Sequence, residues 1–258
     1  MRKIDWFLAL LVIFFVAISM ILIFKPGTEN TFGMAKNIIN IIIPLFTVIV
    51  SFLLVKKLGT SGLQARAVLF LALGFLSWLV ADIIWMIYET PVVSPADVFY
   101  LLGYALIFVG IVYGVKISSP DIFKNKTRGA FLLLIIIIVA GVYFYFIPFA
   151  WDSEISLLEN LLTSGYVIAD LLLVIPLIFL CYSLLAGKLS LGWILISAGI
   201  LLSLVGDLWY VRHYELYEAG EQTIDLVWYA GYLLFAYAMV QFRRAHEQLK
   251  EDLIKLRK

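Results

Sequence analysis

Three aspartates lie inside long apolar stretches of this 258-residue chain: Asp82, Asp170 and Asp207. No Lys, Arg or His lies within the cores of the same stretches. A charge near the centre of a bilayer costs on the order of 3 kcal/mol, so such an acid must be hydrogen-bonded, protonated, hydrated or paired with a cation. These residue types therefore predict cation binding, proton transfer or helix packing.

Aromatic residues cluster near two of these acids. The predicted ligand-binding site combines the two acids with five aromatic residues, in chain order Asp82, Trp85, Tyr100, Tyr104, Asp207, Trp228 and Tyr232. An acidic pocket with aromatic walls, open to the outer leaflet, would suit a cation, a cationic amphiphile or a lipid headgroup. We expect Asp82 and Asp207 to face the bundle interior and to bond polar or aromatic groups of other helices. The alternative, kept open also for Asp170, is that the acids only fix helix packing.

Two further acids have a simpler explanation. Ser94-Pro-Ala-Asp97 reads as a capping box with proline at the first helical position, and Thr223-Ile-Asp225 reads as a similar helix start. Acids in the first turn of a helix are favoured by its dipole. Helix capping is therefore the preferred interpretation of Asp97 and Asp225.

Several catalytic and cofactor sites are not predicted by the sequence. His213 and His246 lie outside the apolar stretches, which argues against an intramembrane zinc or haem site. Leu204-Val-Gly-Asp207 lacks the Gly-x-Gly-Asp of intramembrane aspartyl proteases, and no phosphate-loop pattern occurs. The metal, if one binds, is unknown. We therefore expect no enzyme activity, no cofactor and no nucleic-acid partner.

The elements that must position these residues are transmembrane helices. The chain is 64% hydrophobic and 14% charged, with mean hydropathy +1.03, so a soluble core could not bury its apolar surface. Eight stretches are long enough to cross about 30 Å of hydrocarbon. They are Ile4–Phe24, Asn37–Val55, Ala67–Tyr88, Ala96–Val115, Gly129–Ile147, Asn160–Leu185, Leu189–Val211 and Ile224–Phe242. The predicted fold is an all-α polytopic bundle.

The distribution of charge predicts the orientation. Of the 19 Lys and Arg residues, all except Lys25, Lys36 and Arg212 fall in segments on one side of an eight-span topology. Positive residues are enriched in cytoplasmic loops. We therefore expect a multi-pass protein of the cell membrane with both termini in the cytoplasm.

The chain also contains an internal repetition. Gly74 and Asp82 in the third stretch recur as Gly199 and Asp207 in the seventh, at one spacing of 125 residues. The fourth and eighth stretches share an Asp-x5-Gly-Tyr pattern that ends at Tyr104 and Tyr232. This pattern predicts two four-helix repeats, 1–116 and 129–242, within a transmembrane domain 1–242. Because each repeat has an even number of spans, the repeats should be parallel, related by a twofold axis along the membrane normal.

The C-terminal segment 243–258 is charged and amphipathic. Apolar or histidine residues recur at spacings of four and three, the pattern of a coiled-coil seam: Phe242, His246, Leu249, Leu253 and Leu256. A solvated helix anchored by Arg243 and Arg244 is the alternative. Residues 242–258 are thus a candidate surface for a homodimer or for a cytoplasmic signalling partner.

Three segments together resemble a known class of membrane domain. They are Leu79-Val-Ala-Asp-Ile-Ile-Trp-Met-Ile-Tyr-Glu89, Ser94-Pro-Ala-Asp-Val-Phe-Tyr-Leu-Leu-Gly-Tyr104 and Asp225-Leu-Val-Trp-Tyr-Ala-Gly-Tyr232. The chain is similar here to the multi-span N-terminal input domains of bacterial and archaeal signalling proteins that carry a diguanylate cyclase or histidine kinase module. The resemblance implies sensing by the bundle and output through the last helix. This chain departs from the pattern because no such module follows before Lys258.

Three functions remain open at this point. The leading hypothesis is a membrane sensory or ligand-binding input module with an outward-facing acidic and aromatic pocket. Its ligand would be a cation, or a cationic or lipid molecule, and its output would pass through the C-terminal helix. The alternatives are a small cation- or proton-coupled transporter or channel, and a lipid-modifying enzyme that uses Asp82 and Asp207 as acid and base.

Overall fold

The computed structural model describes residues 5–88, 93–118, 126–151, 153, 156–184, 189–218, 220 and 222–256. These residues form helices and connecting turns, with no strand among them. The helices are α1 (Trp6–Phe24), α2 (Glu29–Leu58), α3 (Leu63–Tyr88), α4 (Pro95–Ser118), α5 (Lys126–Ala150), α6 (Leu157–Leu184), α7 (Ser190–Arg212), α8 (Tyr214–Glu218) and α9 (Asp225–Leu256). A short 3₁₀ turn, Gln222–Ile224, leads into α9.

Seven of the described helices are long and apolar enough to cross a membrane: α1, α2, α3, α4, α6, α7 and α9. In α5 the described apolar stretch, Gly129–Tyr145, is shorter. The all-helical fold is therefore confirmed for the described residues, and seven helices of this length and hydropathy are compatible with a multi-pass membrane bundle. The eighth span and the orientation in the membrane stay predictions.

The helix ends follow local sequence signals. The Asp5 side chain accepts a hydrogen bond from the Leu8 backbone amide (3.3 Å) and caps α1. Lys25, in the left-handed conformation (φ 43°), ends α1, and Thr28 caps α2. Gly59 (φ 73°) ends α2, a conformation that glycine adopts without a steric penalty. Short connections of this kind join neighbouring antiparallel helices.

Two helix pairs form the centre of the bundle. α3 packs most extensively on α4, and α7 packs next most extensively on α9. Glycines allow the backbones to approach closely, as small residues do in membrane helices. A Cβ on Gly103 of α4 would lie 3.1 Å from the Gly74 carbonyl oxygen of α3. A Cβ on Gly231 of α9 would lie 3.1 Å from the Gly199 carbonyl oxygen of α7.

The outer helices connect these pairs. α2 packs on both α3 and α9, and α6 packs on both α7 and α4. In the core, Phe75 of α3 stacks on Phe235 of α9 with ring centroids 4.7 Å apart. α1 lies at the periphery against α9 and exposes apolar side chains such as Trp6, at 72% exposure. An exposed apolar face of this kind suits contact with lipid.

α9 extends beyond the predicted end of the last span. It continues without interruption from Asp225 to Leu256, so the C-terminal segment is a direct extension of the membrane helix. Phe242 is buried and packs on Trp193 with ring centroids 5.1 Å apart. It is therefore enclosed by the bundle, whereas Leu249, Leu253 and Leu256 of the predicted seam are exposed.

Candidate functional site

Asp82, in the C-terminal half of α3, accepts hydrogen bonds at both carboxylate oxygens. The Tyr100 hydroxyl of α4 donates to Oδ1 at 2.7 Å, and the Tyr232 hydroxyl of α9 donates to Oδ2 at 3.1 Å. Thr47 of α2 donates from Oγ1 to the Tyr232 backbone carbonyl at 2.9 Å and so holds that tyrosine's backbone against α2. Asp82 therefore joins three helices with neutral donors.

Asp207 of α7 has an equivalent environment. The Trp228 indole Nε1 of α9 donates to Oδ1 at 2.8 Å, and the Tyr104 hydroxyl of α4 donates to Oδ2 at 3.1 Å. The expectation that Asp82 and Asp207 bond aromatic residues of other helices is thus confirmed. Neutral donors favour the ionised form of a carboxylate without adding charge to the site.

The donors follow one rule. Each acid accepts one hydrogen bond from the helix with which its own helix is paired: Tyr100 for Asp82 and Trp228 for Asp207. Each accepts the second from the other pair. We call the six residues Asp82, Tyr100, Tyr104, Asp207, Trp228 and Tyr232 the acid–aromatic cluster. The cluster therefore joins the α3–α4 and α7–α9 pairs.

Aromatic packing supports the cluster from the membrane interior. The Trp78 ring of α3 lies edge-on to Tyr104 (centroids 5.1 Å apart) and to Tyr232 (6.2 Å). Its indole Nε1 donates to the Tyr100 backbone carbonyl at 3.1 Å. Trp78 thus contacts all three tyrosines of the cluster. Tyr104 is buried, whereas Asp82 and Asp207 stay partly exposed.

Asp170 lies at the middle of α6 and is 0% exposed. Its carboxyl group lies next to Asp207 and to the Tyr104 hydroxyl. Neither of its oxygens, however, has a donor among the described residues. Ionised carboxylates only accept hydrogen bonds, so Asp170 and Asp207 cannot bond each other without a proton. Asp170 is the buried acid whose hydrogen bonding is least complete.

Asp97 does more than cap its helix. The Ser94 backbone amide donates to Asp97 Oδ2 at 2.7 Å, as the capping box predicts. In addition, the Tyr166 hydroxyl of α6 donates to Asp97 Oδ1. The Tyr166 ring also packs near Tyr100 and Tyr104, with centroids 6.1 and 6.3 Å away. Asp97 therefore ties α4 to α6 beside the acid–aromatic cluster.

Asp225 also makes long-range contacts. It is buried (4% exposed) at the start of α9, and Lys36 Nζ of α2 lies 3.1 Å from its Oδ2. The Tyr217 hydroxyl of α8 donates to Oδ1 at 3.0 Å. Helix capping, which the sequence favours for Asp225, does not account for this buried ion pair.

Trp85 is not brought into the cluster. It lies on α3 with 41% of its surface exposed. The other six predicted site residues come together through the four hydrogen bonds described above. Among the described residues, no group of three His, Cys, Asp or Glu side chains is placed to hold a metal ion. Carboxylates beside aromatic rings can in general bind a small cation or transfer a proton.

At the opposite end of the bundle, ion pairs hold the start of α1 and the end of α9 together. Nη1 and Nη2 of the Arg244 guanidinium donate to the Asp5 carboxylate, and the Tyr237 hydroxyl donates to it at 2.8 Å. The Arg244 guanidinium holds the pKa of the Asp5 carboxyl well below its usual range. Lys57, at the end of α2, pairs with Glu247 of α9. The extension of α9 is thus anchored where it leaves the bundle.

Three residues that the sequence does not single out contact the cluster or the nearby acid Asp225. Lys36 precedes the second predicted span, which starts at Asn37, whereas α2 begins at Glu29. Tyr166 and Tyr217 lie in segments with no local motif. Their only signal in the sequence is the tyrosine itself, which a membrane aromatic belt explains equally well.

In comparisons with models of protein families, with curated protein sequences and with solved structures, nothing matches this chain. The resemblance to input domains of signalling proteins therefore stays a prediction from the short segments that carry it.

Proposed function

We propose that this chain is a membrane sensory module whose acid–aromatic cluster binds a cation or a cationic headgroup. The response would pass along α9 to its cytoplasmic extension. One observation carries this proposal: α9 is a single helix that holds Trp228 and Tyr232 at one end and Arg244 and Glu247 at the other. At 1.5 Å per residue, Trp228 and Arg244 are about 24 Å apart along the helix axis.

The cluster has features that a cation site needs. Asp82 and Asp207 are partly exposed and have no basic partner among the described residues, and the hydrogen bonds that they accept come from neutral groups. Aromatic faces add attraction for an organic cation. The outward-opening cavity predicted from the sequence is part of this proposal. It would be lined by these two acids and their aromatic donors.

The proposed module consists of eight spans in two parallel four-helix repeats, with both termini in the cytoplasm. Each acid accepts a hydrogen bond from the tyrosine of the other repeat, Asp82 from Tyr232 and Asp207 from Tyr104. These equivalent bonds between equivalent residues support the repeats. The packing of α2 on α9 and of α6 on α4 supports them further. Pro44 in α2 and Pro176 in α6 occupy equivalent places at a spacing of 132 residues, which is shared by Gly33 and Gly165.

A spectroscopic experiment tests the sensory proposal. A spin label at residue 253, introduced as Leu253→Cys in a Cys181→Ser background, would report movement of the exposed tail in lipid nanodiscs. Tetramethylammonium and sodium are the probe cations. We expect one of them to change the label's mobility, and Asp82→Asn or Asp207→Asn to weaken the response at least tenfold in concentration.

The control is Glu159→Gln. Glu159 is a half-buried acid in the first turn of α6. Its carboxylate accepts a hydrogen bond from the nearby Ser156 amide (2.7 Å), and its own amide donates to Ser156 Oγ (3.3 Å). This variant should respond like the wild type. A label that responds equally in all four proteins, or in none, would contradict the proposal.

A cation- or proton-coupled transporter is the second candidate. Asp170 favours it, because this acid lies at the middle of α6 and directly beside Asp207. Accumulation of the probe cation inside sealed proteoliposomes, lost in Asp170→Asn, would identify transport. A tail response without accumulation would identify sensing.

A further inference from the structure

The carboxyl groups of Asp170 and Asp207 are neighbours, with no basic residue between them in the described part of the chain. Tyr104 lies next to both acids. Asp170 is 0% exposed, so two negative charges here would be held in a region of low dielectric. Adjacent buried carboxylates do not both ionise readily; such pairs typically share one proton.

Hydrogen bonding decides which carboxyl carries the proton. Asp207 accepts a bond at each oxygen, from Trp228 and Tyr104, and these donors stabilise its negative charge. The Asp170 oxygens, in contrast, have no donor among the described residues. The single Tyr104 hydroxyl proton is directed to Asp207, so it is not available to Asp170.

We infer that Asp170 and Asp207 form a proton-binding site in which Asp170 is the protonated acid and donates to the Asp207 carboxylate. One proton turns a contact between two acceptors into a hydrogen bond. Uptake converts the Asp170 carboxylate to a neutral acid, and release returns the proton to water and leaves two adjacent negative charges. This site does not depend on the sensory function, because a transporter or a purely structural bundle would hold the same proton.

The surrounding groups supply no alternative counter-charge. α4 contributes Tyr104, α7 contributes Asp207, and α6 itself contributes Tyr166, which donates to Asp97. In α5, the only titratable residues from Gly129 onward are tyrosines, Tyr143 and Tyr145. All of these groups are neutral or acidic at physiological pH. A proton is therefore the cation that balances the charge of the Asp170 and Asp207 carboxylates.

Infrared spectroscopy of the reconstituted protein in H₂O and D₂O tests the inference. We expect a carbonyl stretching band of a protonated carboxylic acid at pH 7. Asp170→Asn should abolish it, since the isosteric amide supplies an N–H in place of the proton. In Asp207→Asn the band should remain but move to higher wavenumber, because the bond to a charged acceptor is lost. Asp82→Asn should leave it unchanged.

A wild-type spectrum without the band, or a band that persists in Asp170→Asn, would overturn the inference. If Asp170→Asn does not fold, the Asp207→Asn spectrum decides: an unshifted band rules the pair out. Thermal unfolding gives an independent measurement. The wild type should lose stability as pH rises above about 3.9, because the unfolded state has then given up this proton while the folded state still holds it, and Asp170→Asn should lack this dependence. Parallel curves for the two proteins would also contradict the site.

Discussion

Replacing Tyr232 by phenylalanine removes one hydrogen bond between the two helix pairs and keeps the ring that packs against Trp78. The lost bond joins the tyrosine hydroxyl to Asp82 Oδ2 over 3.1 Å, and Trp78 lies 6.2 Å away between ring centroids. Hydrogen bonds to charged groups contribute about 1.5–3 kcal/mol in soluble proteins. Between membrane helices the measured mean is about 0.6 kcal/mol, with a maximum of about 1.7.

The partial exposure of Asp82 places the expected loss between these ranges, at about 1 kcal/mol, or roughly fivefold in the unfolding equilibrium. Tyr104→Phe removes the corresponding bond to Asp207, also 3.1 Å long, and should cost about the same. Reversible unfolding in mixed micelles, followed by circular dichroism, gives the free energy of unfolding for each variant.

Tyr113→Phe is the matched control. The Tyr113 ring stacks on Phe70 with centroids 5.7 Å apart, away from the cluster, so its hydroxyl should contribute little. A double-mutant cycle of Tyr232→Phe with Asp82→Ala should give a coupling energy of about 1 kcal/mol. The reasoning is refuted if Tyr232→Phe and Tyr104→Phe unfold like the control, or if the cycle shows no coupling.

Three further substitutions test contacts outside the cluster. Asp5→Asn should make the free energy of unfolding less sensitive to acid. Arg244 lowers the pKa of Asp5, so the stabilisation by Asp5 is complete above the unfolded pKa of about 3.9 and is lost as pH falls below it. Equal acid unfolding curves for variant and wild type would contradict this. Lys36→Met should cost about 3 kcal/mol because it leaves the buried Asp225 carboxylate without its cation. The control Lys25→Met removes an exposed bond to the Gly220 carbonyl and a contact with the Phe32 ring, but no ion pair with a buried acid; similar unfolding midpoints for the two variants would exclude a strong ion pair. Gly103→Ala should lower the free energy of unfolding by about 1–3 kcal/mol, since its Cβ would lie 2.2 Å from Trp78 Cδ1. The control Gly141→Ala, with open space around it, should be neutral or stabilising. A Gly103→Ala protein as stable as the wild type would mean that the helices can separate without cost.

The apolar stretches predicted the helices well because membrane-spanning length and hydropathy are local properties. Each predicted stretch overlaps one long helix of the described chain, although α2 begins at Glu29 rather than Asn37 and α9 runs on to Leu256. Both differences have the same cause. Polar residues continue a helix beyond the hydrocarbon when backbone bonding and tertiary contacts, such as Lys36 to Asp225, support it.

The site was predictable in composition but not in connectivity. Asp82 and Asp207 stood out as acids without basic partners, and the interior position expected for them is confirmed by their bonds to Tyr100 and Trp228. Which tyrosine reaches which acid depends on how the two helix pairs pack, a long-range property that no local pattern encodes. Trp85 shows that closeness in sequence does not place a residue in the site: it lies less than one turn from Asp82 but faces outward.

The exchange of donors has a consequence for biosynthesis. Asp82 and Tyr232 are 150 residues apart in the chain, and Tyr104 and Asp207 are 103 apart. At roughly 5–20 residues per second, translation takes roughly 8–30 s to supply the second donor of Asp82 after that acid has been made. A nascent chain that ends before α9 holds Asp82 with one of its two donors and Asp207 without Trp228. Such a chain should be recognised by membrane quality control as unfinished until its last helix enters the bilayer.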